Sequence, residues 1–461
     1  MKTPMKNLGI MRGLKLLYIL VTTALFGLCW QLYYMPCLGL SREIVYVIAV
    51  GILYLMLFVL LGRIYDIFAV GTSRLSQLLY SQGLSLLITA GIAYVVMTVS
   101  ALRFTNPLPL IGVIATQLIW SVLWCIWANR VYFALNTPKR TVIVYDSEND
   151  LRKLEEVRYF DRKFHVIKYI NAPKDAQTLL SQIEDAEVVF LPGLEMDMRN
   201  TVLKYCISND IQCYVQPRVG DIIMAGAKHM QMFSVPLMRV RKEYHTPEYM
   251  FFKRMLDIVV SLLAIIILSP FMLVTALAIK LYDGGPVLYK QVRLTKNYKQ
   301  FKVWKFRSMR VDAEKDGIAR LSTEHDDRIT PVGHIIRKIR FDELPQLFNI
   351  LKGDMTIVGP RPERPEIASQ YEKEIPSFGL RLQVKAGLTG YAQIYGKYNT
   401  EPYDKLKMDL MYINNMSFAE DLRLIFATVK ILFVPESTEG VADGQTTASH
   451  KETEEKEIQY I

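Results

Sequence analysis

Five long apolar stretches constrain this 461-residue sequence more than any other feature. A helix needs about 20 apolar residues to cross a bilayer, and four uncharged runs in the first third of the chain are long enough. We expect them to form four transmembrane helices in a membrane domain that covers residues 1–135. The runs are Leu16–Met35, Ile44–Gly62, Leu75–Leu102 and Phe104–Asn129.

Basic residues lie mainly on one side of these runs. Lysines and arginines precede the first run, separate the second from the third and follow the fourth, whereas the opposite loops offer only Arg42 and Arg103. Loops rich in Lys and Arg stay in the cytoplasm. We therefore expect the N-terminus and everything after residue 130 to be cytoplasmic.

The fifth apolar stretch, Ile258–Ile279, is also long enough to span a membrane, but basic residues flank both of its ends. Its middle holds Ser269 and Pro270, and a proline inside a helix removes a backbone donor and clashes with the preceding turn. We interpret residues 255–281 as a re-entrant helix-break-helix that enters one leaflet and returns. The alternative is an ordinary fifth span with a proline kink.

Residues 141–241 alternate short apolar runs with amphipathic segments. Strands and helices alternating at this spacing predict a parallel sheet, which makes this an α/β domain of Rossmann-like outline. Its first strand-to-helix turn reads "YDSEND" and has no glycine. Pyrophosphate binding at such a turn needs glycines and tolerates acidic residues poorly. We expect a structural or regulatory module that does not bind a dinucleotide.

The formal net charge of the chain is +10, although the segment 436–461 holds seven acidic and only two basic residues. We expect that segment to be a disordered acidic tail. The more basic remainder suits an anionic membrane surface or substrates that carry phosphate. The five cysteines show no metal-binding spacing, so we expect them to be reduced and structural. We also expect no zinc site, because His325 and His334 have no partner at ligand spacing.

Two adjacent carboxylates, Asp342 and Glu343, stand in the stretch "KIRFDELPQLFNILKG". The pattern predicts a helix that starts at "DELP", with Asp342 at or next to its N-cap and Gly353 at its C-terminal end. The helix dipole would then keep Asp342 ionised, as a nucleophile requires. An acidic residue at this position is also the usual helix cap, so both interpretations stand on the local pattern.

Basic residues surround the carboxylate pair in the sequence. Guanidinium groups bind phosphate oxygens bidentately, and prolines restrict the segment that carries them. Paired carboxylates beside several arginines are typical of phosphoryl transfer with a divalent metal ion. The candidate substrate-binding residues are Arg293, Lys305, Arg307, Arg340, Arg361 and Arg364.

Six motifs between about residues 252 and 433 resemble the bacterial sugar transferase family, the monotopic polyprenyl-phosphate phosphoglycosyl transferases. In chain order they are "KRMLDIVVSLLAIIILSP", "GGPVLYKQVRL", "FKVWKFRSM", "TPVGHIIRKIRFDELPQLFNILKGDMTIVGPRPE", "VKAGLTGYAQIYG" and "KMDLMYI". The resemblance implies a mainly α-helical catalytic domain over residues 250–435. The preceding spans and α/β module resemble the long subgroup that initiates exopolysaccharide or capsule synthesis at the bacterial inner membrane.

The resemblance also implies roles for particular residues. Asp342 would attack the β-phosphate of a UDP-sugar and release UMP, and polyprenyl phosphate would then attack the aspartyl-phosphosugar. Glu343 would bind or position Mg²⁺, and Arg361 is the first choice for donor contacts. Membrane lipids are further expected partners, nucleic acid is not, and a second copy of the chain and later glycosyltransferases of the pathway are also considered.

Two other functions remain open on the sequence. A metal-dependent glycosyltransferase would move only the sugar and release UDP, with Asp342 as a base or metal ligand. A non-catalytic protein would use the α/β module as a sensor and the membrane part as a scaffold for polysaccharide assembly. The nucleotide that is released distinguishes the two enzymes, and the loss or retention of activity in Asp342→Asn tests the catalytic role.

Overall fold

The protein is described by a computed structural model that covers residues 3–37, 44–146, 148, 151, 160–173, 175–240, 245–313, 326–396 and 400–431. The chain divides into two compact units, Met1–Gln216 and Pro217–Ile461. The segment 436–461 lies outside the described residues, so the acidic tail stays a prediction. Ser147, Asn149 and Asp150 of the "YDSEND" turn also lie outside them.

The first unit begins with the expected apolar helices. Each of the four is long and apolar enough to cross a membrane. The last one starts later than predicted because Asn106 and Pro107 form its entry, where the Asn106 side chain accepts a hydrogen bond from the Leu108 amide at 3.0 Å. The helices are α1 (Thr3–Cys29, continued by a π-helical turn to Cys37), α2 (Ile44–Ile64), α3 (Leu75–Ala101) and α4 (Leu108–Leu135).

Polar side chains buried among these helices have partners on neighbouring helices. Gln117 of α4 donates to the Thr22 carbonyl of α1 at 2.8 Å and to the Tyr54 hydroxyl of α2 at 3.1 Å. The hydroxyls of Tyr18 and Ser121 lie 2.7 Å apart. A polar group without a partner is costly in hydrocarbon. These bonds therefore fix which faces of α1, α2 and α4 meet.

The rest of the first unit is a four-stranded sheet with helices between its strands. Every neighbouring pair is parallel, in the order β2-β1-β3-β4. The core contains Val142, Val144, Val189 and Cys206. The predicted mixture of strands and helices is confirmed. Its elements are β1 (Lys139–Tyr145), α5 (Phe160–Lys163), β2 (Phe164–Asn171), α6 (Ala176–Gln182), β3 (Val188–Leu191), α7 (Met196–Ser208) and β4 (Gln212–Val215).

The second unit opens with a short helix, α8 (Val219–Ala225), and an antiparallel hairpin of β5 (Lys228–Met232) and β6 (Val235–Arg239). The turn of the hairpin is formed by Phe233 and Ser234, which both have positive φ, at 51° and 64°. The parallel sheet thus ends at Val215, before the helix and the hairpin that occupy the rest of the 141–241 segment.

A single long helix, α9 (Pro247–Asp283), contains the fifth apolar stretch and is also long and apolar enough to cross a membrane. Its 37 residues would span about 55 Å if straight. The expected break at Pro270 does not divide it into two helices. Pro270 has no N–H for the Ile266 carbonyl, and the Ser269 hydroxyl donates to that carbonyl at 2.9 Å instead. The re-entrant path stays a prediction.

The remainder of the second unit is mainly helical, as expected. Leu347, Ile350, Val358, Leu406 and Leu424 lie in one hydrophobic core. Strands β7 and β8 form an antiparallel hairpin, and β9 pairs in parallel with β10. In chain order the elements are β7 (Leu288–Leu294), β8 (Gln300–Phe306), α10 (Pro331–Lys338), α11 (Gln346–Lys352), β9 (Thr356–Val358), α12 (Pro365–Glu374), β10 (Gly387–Thr389), α13 (Tyr391–Ile394), α14 (Pro402–Asn415) and α15 (Phe418–Ile431).

The N-terminal half of α9 holds this core through two buried charged residues. Lys253 pairs with Asp421 of α15 at 2.8 Å and donates to the Val358 carbonyl at 3.0 Å. One turn later, the Asp257 carboxylate accepts from the Ile357 amide at 2.9 Å. Both residues are buried. The apolar helix is thereby joined to β9, which leads into the proline-rich segment.

The Lys253–Asp421 pair gives a stability prediction. Lys253→Met should lower the free energy of unfolding by about 3–5 kcal/mol, because it leaves the buried Asp421 carboxylate without its cation. The double variant Lys253→Met/Asp421→Leu should recover most of that loss, since neither charge remains. Thermal and urea unfolding in detergent would measure both. Equal losses in the single and double variants would contradict this account.

Candidate active site

The carboxylate pair lies on a short 3-10 turn, Phe341–Glu343, between α10 and α11. Arg340 enters this turn with a left-handed backbone, at φ 55°. The N-cap of α11 is Pro345, so the α-helix begins after Asp342 and the predicted N-cap position is wrong. Pro345 has no N–H and fits only the start of a helix. The ionisation of Asp342 therefore cannot be ascribed to a helix dipole at its own N-cap.

Glu343 is the buried member of the pair and has two cationic partners. Lys305 Nζ and Arg361 Nη2 both donate to its Oε1 atom, at 2.8 and 2.9 Å. Burial alone would raise the pKa of Glu343, but Arg361, Lys305 and Arg340 together hold this pKa well below its usual range. Glu343 is therefore a fixed carboxylate that draws β8 and the proline-rich segment together.

Asp342 is partly buried and differs from its neighbour in its contacts. Within the part of the chain that the structure describes, its carboxylate makes no hydrogen bond or ion pair. Burial raises the pKa of Asp342, Lys305 opposes that shift, and the charge of Glu343 adds to it. One carboxylate is thus held in place, while the other stays available to a ligand.

The segment that carries Arg361 is held by its carbonyl groups. We call residues 360–364 the proline strap. Pro360 and Pro362 have no N–H, so the strap has few backbone donors. Four consecutive carbonyls accept hydrogen bonds instead. Their donors are Gly387 N to Pro360 at 2.8 Å, Arg381 Nη2 to Arg361 at 2.9 Å, Arg293 Nη1 to Pro362 at 3.0 Å and Leu294 N to Glu363 at 2.9 Å.

The structure brings some of the predicted site residues together and places others elsewhere. Lys305, Arg361 and the carboxylate pair form one cluster. Arg293 binds the strap carbonyl and Gln291, and its guanidinium lies 3.8 Å from Glu363. In this arrangement its Nη1 atom donates to the strap, and its Nε and Nη2 atoms donate to Gln291.

Two other predicted basic residues lie beside helix ends. Arg307 pairs with Asp283 at the end of α9, where its guanidinium occupies the space beside Gly285. Arg364 is the N-cap residue of α12. The substrate contacts predicted for Arg307, Arg340 and Arg364 therefore stay predictions.

Residues 248–435 match the family model of the bacterial sugar transferases. The exopolysaccharide production protein PSS of Rhizobium leguminosarum bv. phaseoli is 43% identical over 188 residues, which are 92% of its length and 38% of this chain. This chain belongs to the bacterial sugar transferase family.

Two longer members of the family are also similar. The UDP-N-acetylgalactosamine-undecaprenyl-phosphate N-acetylgalactosaminephosphotransferase of Aeromonas hydrophila is 42% identical over 190 residues, 41% of this chain and 45% of the relative. The UDP-glucose:undecaprenyl-phosphate glucose-1-phosphate transferase of Klebsiella pneumoniae is 44% identical over 254 residues, 53% of this chain and 54% of the relative. This chain thus spans about half the length of these curated relatives.

Sequence reasoning missed the residues that support the strap in this family member. Arg381 is 3% exposed and pairs with Asp409 at 2.7 Å and with Glu363 at 3.6 Å. Burial raises the pKa of Asp409 to about 6, although Arg381 opposes the shift. A signal was present, because Asp409 stands between Leu406 and Leu410 on the buried side of an amphipathic helix. A charged residue at such a position needs a buried partner.

The carboxylate pair fits a divalent ion only in part. Both cations bind Oε1 of Glu343, so its Oε2 atom makes no hydrogen bond within the described residues. The described ranges contain no group of three or more acidic, histidine or cysteine side chains that could hold a metal ion. Mg²⁺ commonly uses one or two carboxylates and completes its shell with substrate phosphates and water. Glu343 would hold such an ion through Oε2.

The electrostatics of the pair predict a pH dependence. If Asp342 reacts in its charged form, as the sequence predicts, its raised pKa means that kcat/KM should fall as the pH drops through a value above the ordinary aspartate value of about 4. In Lys305→Met this acidic limb should move to higher pH, because Lys305 favours the charged form of Asp342.

The control is Lys302→Met, which removes an exposed lysine from the same strand. It should leave the acidic limb where it is in the unaltered protein. Initial rates between about pH 4 and 8 would measure the limb. If the acidic limb stays in place or moves to lower pH in Lys305→Met, the limb does not report the ionisation of Asp342.

Proposed function

We propose that this protein transfers a sugar 1-phosphate from a UDP-sugar to polyprenyl phosphate, with UMP and a polyprenyl diphosphate-sugar as products. The named activities of the Aeromonas and Klebsiella relatives support this reaction class. The observation that carries the proposal is the difference between the two carboxylates. Glu343 is held by Lys305 and Arg361, whereas the Asp342 carboxylate is free within the described residues.

In the first step, an Asp342 carboxylate oxygen attacks the β-phosphorus of the UDP-sugar. A bond forms between this oxygen and phosphorus, the bond from the β-phosphorus to the bridging oxygen breaks, and UMP leaves with that oxygen. Asp342 then carries the phosphosugar as an acyl phosphate. The lysine and arginine on Glu343 supply positive charge near the transferred phosphoryl group, as phosphoryl transfer requires.

In the second step, an oxygen of polyprenyl phosphate attacks the same phosphorus. The bond between phosphorus and the Asp342 oxygen breaks, so the carboxylate is regenerated and the lipid diphosphate-sugar forms. Covalent catalysis separates the encounter with a soluble donor from the encounter with a lipid acceptor. Mg²⁺, when bound at Glu343, would neutralise charge on the donor diphosphate.

The membrane arrangement that we propose follows from the apolar helices. The catalytic unit faces the cytoplasm at the bacterial inner membrane, and α9 enters one leaflet and returns beside the lipid phosphate. The α/β module, with its Rossmann-like parallel sheet, serves as a structural or regulatory part. The reaction would be the first membrane step of exopolysaccharide or capsule synthesis, and it uses Arg361 as the donor-contacting residue.

The released nucleotide tests the reaction. Purified protein with a panel of UDP-sugars, Mg²⁺ and polyprenyl phosphate should release UMP with one or more donors, and the productive donor identifies the sugar. Release of UDP would indicate a glycosyltransferase. No release with any donor, together with intact folding, would favour the scaffold or sensor role.

Replacement of the nucleophile gives a sharper prediction. Asp342→Asn should lower kcat by at least about 10³-fold, because an amide cannot form the acyl phosphate. The control Asp327→Asn, at a carboxylate that is 89% exposed, should retain activity. Mass spectrometry of the unaltered protein, quenched in acid before acceptor is added, should find a phosphosugar on the peptide that contains Asp342. Turnover by folded Asp342→Asn near the unaltered rate would overturn the mechanism.

A further inference from the structure

The proline strap positions Arg361 in space, although the strap itself makes little regular secondary structure. Strands normally use alternating N–H and C=O groups to pair with a neighbour. Two prolines in five residues remove that possibility here. The strap instead depends on donors from four other positions, and two of those donors are arginine side chains, Arg293 and Arg381.

Arg381 is the more deeply anchored of the two. Its Nε and Nη2 atoms bond one oxygen of Asp409, at 2.8 and 2.7 Å. The Nη2 atom also donates to the Arg361 carbonyl at 2.9 Å. Asp409 is 1% exposed, so water competes little for these bonds. Arg381 therefore holds the main chain of the residue whose side chain binds Glu343.

Burial excludes a direct substrate contact for Arg381. Its side chain is 3% exposed, whereas that of Arg361 is 40% exposed. A ligand can reach the guanidinium of Arg361, but within the described residues Arg381 is covered by the strap, Asp409 and the ring of Phe378, which lies 5.0 Å away. Any effect of Arg381 on the reaction must therefore pass through the strap.

We infer that Arg381, held by Asp409, is a positioning residue that fixes the main chain of Arg361 and so keeps the Arg361 guanidinium on Glu343 beside the nucleophile. The inference rests on the proposed phosphoglycosyl transfer. Arg293 supports the next carbonyl in the same way, and its pairing with Glu363 joins the two arginines through the strap.

The expected size of the effect follows from geometry. Arg361 reaches Glu343 through a long, flexible side chain, so a displaced main chain moves the guanidinium from its place. A displacement of about 1 Å remote from the reacting atoms can lower a rate by about 100-fold. We expect Arg381→Gln to lower kcat by about that factor, and Arg381→Lys to lower it less, because lysine keeps the charge opposite Asp409.

A double-mutant cycle distinguishes positioning from general damage. Arg381→Gln is made in the unaltered protein and in Arg361→Ala, and kcat and the KM for the UDP-sugar are measured for all four proteins. If Arg381 acts through Arg361, Arg381→Gln alone should lower kcat by about 100-fold. In the Arg361→Ala background it should lower kcat by less than about 3-fold, since the effects of coupled residues are not additive. Equal losses in both backgrounds would overturn the inference.

Two further variants distinguish a loss of positioning from misfolding. Arg381→Met/Asp409→Leu removes both buried charges, which apolar residues of similar size often tolerate, yet it also removes the donor to the Arg361 carbonyl. It should fold and still show a reduced kcat, and full activity would overturn the inference. The matched control is Arg328→Gln, which breaks the two-bond pair of Arg328 with Asp326 outside the strap and should leave kcat within about 3-fold.

The outcomes separate this inference from the proposed function. If the unaltered protein releases no UMP with any UDP-sugar, the proposed function fails. If it releases UMP and folded Arg381→Gln keeps the same kcat and KM, only the positioning role fails. A lowered melting temperature with unchanged kinetics would also overturn it, because such a result assigns Arg381 to stability alone.

Discussion

The site depends on one interaction, in which Lys305 and Arg361 both donate to the same carboxylate oxygen of Glu343. One buried carboxylate oxygen accepts from Lys305 at 2.8 Å and from Arg361 at 2.9 Å. Two cations around one buried anion offset the cost of removing that charge from water. The contact joins a strand of the β7–β8 hairpin to the proline strap across the 3-10 turn. Both cations bind Glu343, and the carboxylate of the preceding residue, Asp342, makes no hydrogen bond or ion pair among the described residues.

The same unit connects this site to its long apolar helix. Lys253 binds the carbonyl of Val358, and Asp257 binds the amide of Ile357, so two successive turns of α9 hold β9. The strap begins two residues after β9 ends. Because these contacts are buried and charged, they resist local displacement better than exposed pairs would. The distance between the apolar helix and the carboxylate pair is therefore fixed by the fold of one unit.

Local sequence patterns predicted much of this fold. The apolar helices, the four parallel strands and the helical content of the last third were all expected, because hydrophobic periodicity and length are properties of short segments. The start of α11 was misplaced, since the pattern could not distinguish a 3-10 turn before Pro345 from the first turn of an α-helix. Pro270 lies inside one continuous helix, where the Ser269 hydroxyl donates to the Ile266 carbonyl, and the re-entrant path stays a prediction.

The sequence by itself determined which residues are candidates for the site: an adjacent Asp-Glu pair, a proline-rich segment with arginines and a lysine on a nearby strand. Only the tertiary structure decided their roles. Lys305 lies 38 residues from Glu343, and Arg381 lies 28 residues from Asp409, so no local pattern could pair them. Burial then separated the two carboxylates, because the cost of an unpaired charge depends on the side chains that surround it in three dimensions.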